Sequence, residues 1–184
     1  KSRSRGLGDV YKRQHYYNGD IRDSTSVEQA GSGCSFIVHL AAQTSVSASI
    51  ENPELNDDIN LRGTKNIINY ANSNNIKKVV FASSAAVYGN CEDVPLVEES
   101  AGDCRSPYAE SKFQSEKDLL SLMSKEIQVH ILRFFNVYGP GQDANSNYAA
   151  VIPSFIQRIT SGQSPTIFGD GSQSRDFIAV SDVV

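Results

Sequence analysis

The chain contains no tryptophan, a single methionine and only three cysteines among 184 residues. The odd cysteine count argues against a disulfide framework, and Cys34, Cys91 and Cys104 do not stand at metal-ligand spacing. The histidines are equally few: His15 and His130 belong to no constellation, and His39 reads as a packed strand residue. No metal centre is expected. No apolar run approaches the length of a bilayer span, and no secretory signal is legible. The expectation is a reducing, cytoplasmic protein with no membrane partner. Hydrophobic residues at 39% and charged residues at 21% belong to a globular chain able to bury a core. Its length suits one domain, or one domain and part of another. No internal repeat or low-complexity tract is present.

The net charge of −4 is unevenly distributed. Residues 1–14 hold Lys1, Arg3, Arg5, Lys12 and Arg13 against Asp9, a net +4 that leaves −8 on the remainder. An acidic body argues against a nucleic-acid partner. The basic head has no helical period. Its Gly6-Leu-Gly8 follows no strand and lacks the third glycine of a dinucleotide fingerprint. Residues 1–14 therefore read as a foreign leader outside the fold.

From residue 15 onward, short apolar runs alternate with amphipathic stretches. Phe36–Ala42 reads as a buried strand, Lys78–Ser83 as a second and Gln128–Phe134 as a third. Between them a helix runs from Pro53 to about Ser73. Asn52 is its N-cap and Pro53 its first residue, and Leu55, Ile59, Ile67, Ile68 and Ala71 form its apolar stripe. Gly63 costs such a helix about 1 kcal/mol relative to alanine, which predicts a close neighbour there. Ser106-Pro107 repeats the cap-and-proline start of a helix reaching about Lys125, with Leu119, Leu122 and Met123 on its buried side. This alternation implies parallel crossover units and an α/β, doubly wound parallel sheet. Ligands of such sheets lie beyond the C-terminal ends of the strands, where Ala41-Ala42, Ser83-Ser84 and Asn136 fall. After Gly139-Pro-Gly141 the pattern changes: Asp143–Asn147 is loop-like, Val151–Ile159 helical and Ile167–Gly171 a turn.

The chemistry concentrates between Phe81 and Lys112. Ser83-Ser84 closes a strand, and Tyr108-Ala-Glu-Ser-Lys112 opens a helix. Positions i and i+4 share a helix face, so Tyr108 and Lys112 can meet one ligand. Tyrosine is a poor base, with a pKa of about 10. A neighbouring cation and a nearby cofactor charge favour the phenolate. A strand-end hydroxyl beside this pair suits redox chemistry on an alcohol. In isolation, Tyr-x-x-x-Lys is more often a core tyrosine with a lysine on its solvated rim.

The motifs, in chain order, are Gly19-Asp-Ile-Arg-Asp23, His39-Leu-Ala-Ala42, Asn60-Leu-Arg-Gly-Thr64, Ser83-Ser-Ala-Ala-Val-Tyr-Gly89 and Tyr108 to Lys112. Arg133-Phe-Phe-Asn-Val-Tyr-Gly-Pro140, Val151-Ile-Pro153, Gly169-Asp-Gly171 and Arg175-Asp-Phe177 follow. Each is weak alone, but their order and spacing are specific. From about Gly19 to Val184 the chain resembles the extended short-chain dehydrogenase/reductases of the NAD-dependent epimerase/dehydratase family. The closest resemblance is to the enzymes that epimerise UDP-glucose and UDP-N-acetylhexosamines at C4. The resemblance implies an incomplete Rossmann-like fold, with residues 15–140 forming part of the NAD-binding domain and residues 141–184 beginning a smaller nucleotide-sugar-binding region.

The resemblance also implies roles. Asp20 and Ile21 would hold the adenine of NAD. Ala41 and Ala42 would let the backbone pass close to the cofactor, with Asn60 supporting that wall. Tyr108 would be the base and acid at the sugar hydroxyl. Lys112 would bind the nicotinamide ribose and depress the Tyr108 pKa, and Ser84 would hold the reacting oxygen. Asn136 would contact the nucleotide sugar. Arg175 would clamp the diphosphate, which a planar guanidinium fork suits. Asp20 is alternatively an ordinary turn residue, Asn60 a helix-interior polar group and Arg175 a surface ion pair.

Two departures accompany the likeness. The Gly-x-x-Gly-x-x-Gly turn that cradles pyrophosphate is missing before Gly19, and the family continues beyond Val184. The chain reads as an internal fragment, expected to hold NAD weakly and to be inactive by itself. For the whole protein, the positions where a 4,6-dehydratase carries an Asp-Glu pair are Ala85 and Ala86, which cannot transfer protons. The implied reaction is therefore inversion at C4 of a UDP-hexose through a transient 4-keto sugar. Alternatives are a UDP-glucuronate epimerase or decarboxylase, a GDP-sugar enzyme, and a non-catalytic module binding NAD or a nucleotide sugar. The family further implies a homodimer through helices equivalent to 53–73 and 107–125.

Overall fold

The computed structural model describes residues 14–143 and 150–184. The basic leader, apart from Gln14, and most of the loop expected over Asp143–Asn147 lie outside the described residues. Helix α1 (Ser24–Gly31) opens at Asp23, whose carboxylate accepts from the amides of Thr25 and Ser26 at 3.1 Å each. Strand β1 (Phe36–His39), the short helices α2 (Val46–Glu51) and α3 (Pro53–Asp57), a π-helical turn at Asp58–Arg62 and helix α4 (Gly63–Ser73) follow. Strand β2 (Lys78–Ser84) runs into a 3₁₀ turn at Ala85–Tyr88. Helix α5 (Pro107–Leu120), a 3₁₀ turn at Ser121–Lys125 and strand β3 (Gln128–Phe134) complete this part. Beyond it lie β4 (Asn136–Tyr138), α6 (Val151–Thr160), β5 (Phe177–Ala179) and α7 (Val180–Val183).

Strands β1, β2 and β3 form a parallel sheet in that order, with Phe36 opposite Lys78 and Ser84 opposite Phe134. Strands β4 and β5 pair separately, also in parallel. This is the parallel α/β architecture that the alternating pattern predicts. Along β2 the burial alternates: Val79, Phe81 and Ser83 are buried, and the residues between them half-buried. That period of two turns one face of the strand toward helices α4 and α5. There Val79 and Phe81 meet Ile67, Ile68 and Ala71 of α4, Leu119 of α5 and Leu122 of the turn after it.

The caps expected from the sequence form as read. Asn52 accepts from the Leu55 amide at 3.0 Å with Pro53 first in α3, and Ser106 accepts from the Ala109 amide at 3.1 Å with Pro107 first in α5. The close neighbour expected at Gly63 is Ile21, whose Cδ1 lies 2.5 Å from where a Cβ would stand.

Three expectations need correction. The strand expected over Phe36–Ala42 ends at His39, and Phe36 and Val38 are 61% and 64% exposed. It is an edge strand that turns only Ile37 and His39 toward the helix layer, so one face is buried rather than two. Met123, expected inside, is exposed. The helix tightens to a 3₁₀ turn after Leu120, which widens the angular step per residue and gives the buried position to Leu122. Leu55 also lies on the surface, because the stripe that packs inward is carried by α4.

The segment after β2 is held by a tight approach. Gly89 has φ +59°, and a Cβ there would lie 1.9 Å from the Asp103 carbonyl oxygen. Gly89→Ala should therefore lower the unfolding free energy by at least about 2 kcal/mol, read as a shift in urea midpoint. An unchanged midpoint would contradict this packing.

Candidate active site

Helix α5 carries Tyr108 and Lys112, and buried polar side chains fix where it starts. Asn56 donates to the Pro107 carbonyl at 3.1 Å, and Ser49 Oγ accepts from the Tyr108 amide at 3.2 Å. Asn60, 3% exposed, donates through Nδ2 to Asn56 Oδ1 (2.9 Å), the Gln43 carbonyl (3.1 Å) and Ser111 Oγ (3.2 Å). Its Oδ1 accepts from the Gln43 amide at 2.9 Å. Asn60 thus ties the segment after Ala41-Ala42 to α5. It sits in the π-helical turn, a local widening of the kind often found at functional sites. A continuous α-helix over 53–73 would place it differently.

Tyr108 and Lys112 are both buried, at 8% and 4% exposure. The Lys112 ammonium donates to the Ala82 carbonyl at 2.9 Å and lies 4.7 Å from the Phe81 ring centroid and 6.0 Å from that of Tyr108. No carboxylate pairs with it among the described residues. Burial lowers its pKa from 10.5 to about 8. Burial raises the Tyr108 pKa, while the Ser84 hydroxyl, which interacts with the phenol, pulls the other way. The depression of Tyr108 expected from Lys112 is not the outcome in the protein alone, where burial raises the phenol and the opposing influence comes from Ser84. Ser84 Oγ also accepts from the Ala86 amide at 3.2 Å, which orients it at the strand end. Ser84, Tyr108 and Lys112 are therefore gathered at the C-terminal edge of β2.

The other residues singled out from the sequence are more dispersed. Asp20 is engaged by Arg22, at 2.6 Å from Nη2 and 3.0 Å from Nε, and those bonds hold its carboxyl down to about 2. Ile21 packs on Gly63, and its carbonyl accepts from Asn66 at 2.8 Å. Ala41 is exposed and Ala42 half-buried, just past β1. Asn136 donates to the Asp176 carbonyl at 2.9 Å, which places it beside the loop bearing Arg175. Arg175 is exposed and donates to the Ser174 carbonyl at 2.7 Å. Among the described residues no hydrogen bond or ion pair joins it to Ser84, Tyr108 or Lys112. His39 is a packed strand residue. Its Nε2 lies 3.0 Å from Thr64 Oγ1, its ring 5.4 Å from that of Phe81, and burial followed by the Lys112 charge lowers its pKa to about 4.

Sequence reasoning missed two features. Glu116, 3% exposed, accepts a hydrogen bond from Ser83 and forms an ion pair with Arg133 at 2.8 Å. Its signal was present, since Glu116 stands four residues beyond Lys112 on the same face of α5. Gln43 Oε1 is buried and without a partner among the described residues. Nothing in its sequence context marks it.

The chain matches the family described as NAD dependent epimerase/dehydratase over residues 2–184. The UDP-N-acetylglucosamine 4-epimerase of Methanobrevibacter ruminantium M1, solved with UDP-N-acetylmuramic acid, is 42% identical with a TM-score of 0.85, over 90% of this chain and 53% of that one. The Thermus thermophilus UDP-glucose 4-epimerase, solved with NAD, is 34% identical with a TM-score of 0.81, over 91% and 57%. A UDP-glucuronate 4-epimerase of Thermodesulfobacterium geofontis is 35% identical over 153 residues, 81% of this chain and 45% of that protein. The chain spans about half the length of the curated relatives it matches.

The buried Lys112 has a measurable signature. Its pKa lies below the 10.5 of an exposed lysine, at about 8, so between those values the unfolded chain binds more protons than the folded one. Stability should therefore rise as pH increases from about 8 toward 10, by an amount on the order of 2 kcal/mol. Lys112→Met should remove that rise, measured as the difference between the pH profiles of the two unfolding free energies. Parallel profiles would show that Lys112 is solvated.

Proposed function

We propose, for a chain that belongs to the NAD dependent epimerase/dehydratase family, that the whole protein inverts C4 of a UDP-hexose through a transient 4-keto sugar. The substrate is UDP-glucose, UDP-galactose or their N-acetyl forms. The observation that carries this is the meeting of Tyr108 and Lys112, from one face of α5, with Ser84 at the end of β2, directly before Ala85-Ala86. Residues 15–140 supply this machinery, and residues 141–184 begin the nucleotide-sugar-binding region.

The residues present fit NAD. The Lys112 ammonium uses one hydrogen bond on Ala82 and has no carboxylate partner among the described residues. It retains donors for ribose hydroxyls. Gln43 Oε1 is a buried acceptor without a donor among the described residues, an arrangement that costs about 1–3 kcal/mol until a hydroxyl completes it. When bound, NAD would supply a hydride acceptor and donor for the sugar carbon and a positive charge that favours the Tyr108 phenolate. Tyr108 takes the proton of the sugar hydroxyl and later returns it. Ser84 holds the reacting oxygen beside the phenol. The raised pKa of Tyr108 in the protein alone keeps it protonated until the site is loaded. Ala85 and Ala86 carry no group able to remove a second proton or deliver one to a leaving hydroxyl, so water is retained. Arg175 binds the diphosphate and Asn136 the sugar nucleotide. Asp20 and Ile21 lie at the adenine end, where Asp20 exchanges its Arg22 partner for the ligand.

A UDP-glucuronate 4-epimerase is the second reading, supported by the 35% identical relative of that name; it uses the same trio and differs in the sugar pocket. Exposed Leu55, Leu120 and Met123, on the helices that pair in the family, support a homodimer.

In the full-length protein Tyr108→Phe should lower turnover by roughly 10²–10⁴-fold with NAD content unchanged. Activity within tenfold of the parent would remove Tyr108 from proton transfer. Arg175→Ala should weaken UDP-sugar binding by about 1.5–3 kcal/mol, read by calorimetry. Unchanged UDP affinity would leave Arg175 as a surface residue.

A further inference from the structure

Glu116 continues the stripe of α5 that begins with Tyr108 and Lys112, since residues four apart share a face. All three side chains turn toward β2. Tyr108 meets Ser84, Lys112 donates to the Ala82 carbonyl at 2.9 Å, and Glu116 accepts from Ser83 Oγ. Successive turns of one helix thereby contact three consecutive residues of one strand. Side chains alternate along a strand, so Ser83 points into the helix layer, while Ser84 closes the strand and its hydroxyl accepts from the Ala86 amide at 3.2 Å.

Glu116 and Ser83 are 3% and 4% exposed. The carboxylate is balanced by Arg133, the register partner of Ser83 on β3. Arg133 donates Nη2 to Oε2 at 2.8 Å and Nε to Oε1 and Oε2 at 3.1 and 3.2 Å. Its Nη1 donates to the Tyr88 hydroxyl at 3.1 Å and the Glu98 carbonyl at 2.6 Å, and its guanidinium lies 5.1 Å from the Tyr88 ring centroid. Tyr88 ends the 3₁₀ turn that follows Ser84. Glu116 therefore grips the chain on both sides of Ser84, through Ser83 before it and through Arg133 and Tyr88 after it. A buried ion pair is a weak source of stability, because apolar residues of like volume often serve as well. Its directional geometry makes it an effective means of fixing placement.

We propose that Glu116 is a positioning residue that, through Ser83 and the Arg133–Tyr88 contact, sets the Ser84 hydroxyl against Tyr108. This rests on the assignment of Ser84 and Tyr108 as the groups acting at the sugar hydroxyl. Glu116 spends its carboxylate on Ser83 and Arg133, and its effect travels through the backbone at Ser83 and Ser84.

The test uses the full-length protein with NAD bound and tyrosine labelled at Cζ with ¹³C, the Tyr108 signal being identified by its loss in Tyr108→Phe. The variants are Ser83→Ala and Glu116→Gln, with Leu122→Val as a core control that takes no part in the ion pair. Ser83→Ala and Glu116→Gln should each move the Tyr108 titration to higher pH, because the Ser84 hydroxyl no longer favours the phenolate. They should lower kcat roughly ten- to a hundredfold, with KM for the UDP-hexose within about twofold of the parent. Leu122→Val should lower the thermal midpoint and leave the Tyr108 titration in place. The proposal is overturned if Ser83→Ala and Glu116→Gln lower the thermal midpoint while Tyr108 titrates as in the parent. If Glu116→Gln does not fold, Ser83→Ala, which deletes one hydroxyl, decides alone. The titration is read without turnover, so a parent inactive on every UDP-hexose would defeat the assigned reaction without hiding this result.

Discussion

The docking of helix α5 on the end of strand β2 is the constraint on which the rest of the site depends. The helix brings Tyr108, Lys112 and Glu116 to one strand, and two different sets of contacts hold it. At its start the contacts are polar and neutral, with Asn56, Asn60, Ser49 and Ser111 spending their hydrogen-bonding capacity on one another and on backbone groups. Toward its end they are apolar, with Leu119 and Leu122 fully buried against Val79 and Phe81. Apolar packing supplies the driving force but tolerates sliding, whereas the hydrogen bonds do not. The polar end, which carries Tyr108, is the end that has to be placed to within a fraction of an ångström for chemistry.

The electrostatics follow from the same docking. Lys112 is buried near the Phe81 and Tyr108 rings, with the Ala82 carbonyl as partner and, among the described residues, no carboxylate. Its charge is therefore poorly compensated, and its pKa falls to about 8. The same burial raises Tyr108 and, together with the Lys112 charge, lowers His39. Burial thus shifts three neighbouring groups toward their neutral forms while the pocket holds only protein, and Lys112 remains mainly charged below about pH 8. Under the proposed function, ligand hydroxyls at Lys112 would favour its ammonium, and positive charge beside Tyr108 would favour the phenolate. The site is organised to be finished by what it binds.

Much of this was legible in the residues because the controlling physics is local. Asn52-Pro53 and Ser106-Pro107 announce helix starts through caps that act within three residues, and both form. Gly63 announced a close neighbour, and Ile21 is there. The Tyr108–Lys112 spacing announced a shared face, and both side chains reach the end of β2. What escaped depends on contacts distant in sequence. The π-helical turn at Asp58–Arg62 is set by Asn60 bonding to Gln43 and to Ser111. The partners of Glu116 come from two strands, one of them 33 residues away, and no local rule pairs a helical glutamate with them. Arg175 and Asp20 are a different case: their motifs are plain in the sequence, but their partners in the protein alone are Ser174 and Arg22, which say nothing of a ligand.

The most direct measurement is turnover of a UDP-hexose carrying deuterium at C4 by the full-length protein. Oxidation and return at that one carbon, with Tyr108 and Ser84 handling only the hydroxyl proton, require a slower hydride-transfer step than with protium, read in a single turnover. They also require a C4-epimerised product that keeps its deuterium. Deuterium exchanged into solvent, or a product lighter by one water, would contradict a site in which α5 and β2 perform inversion alone.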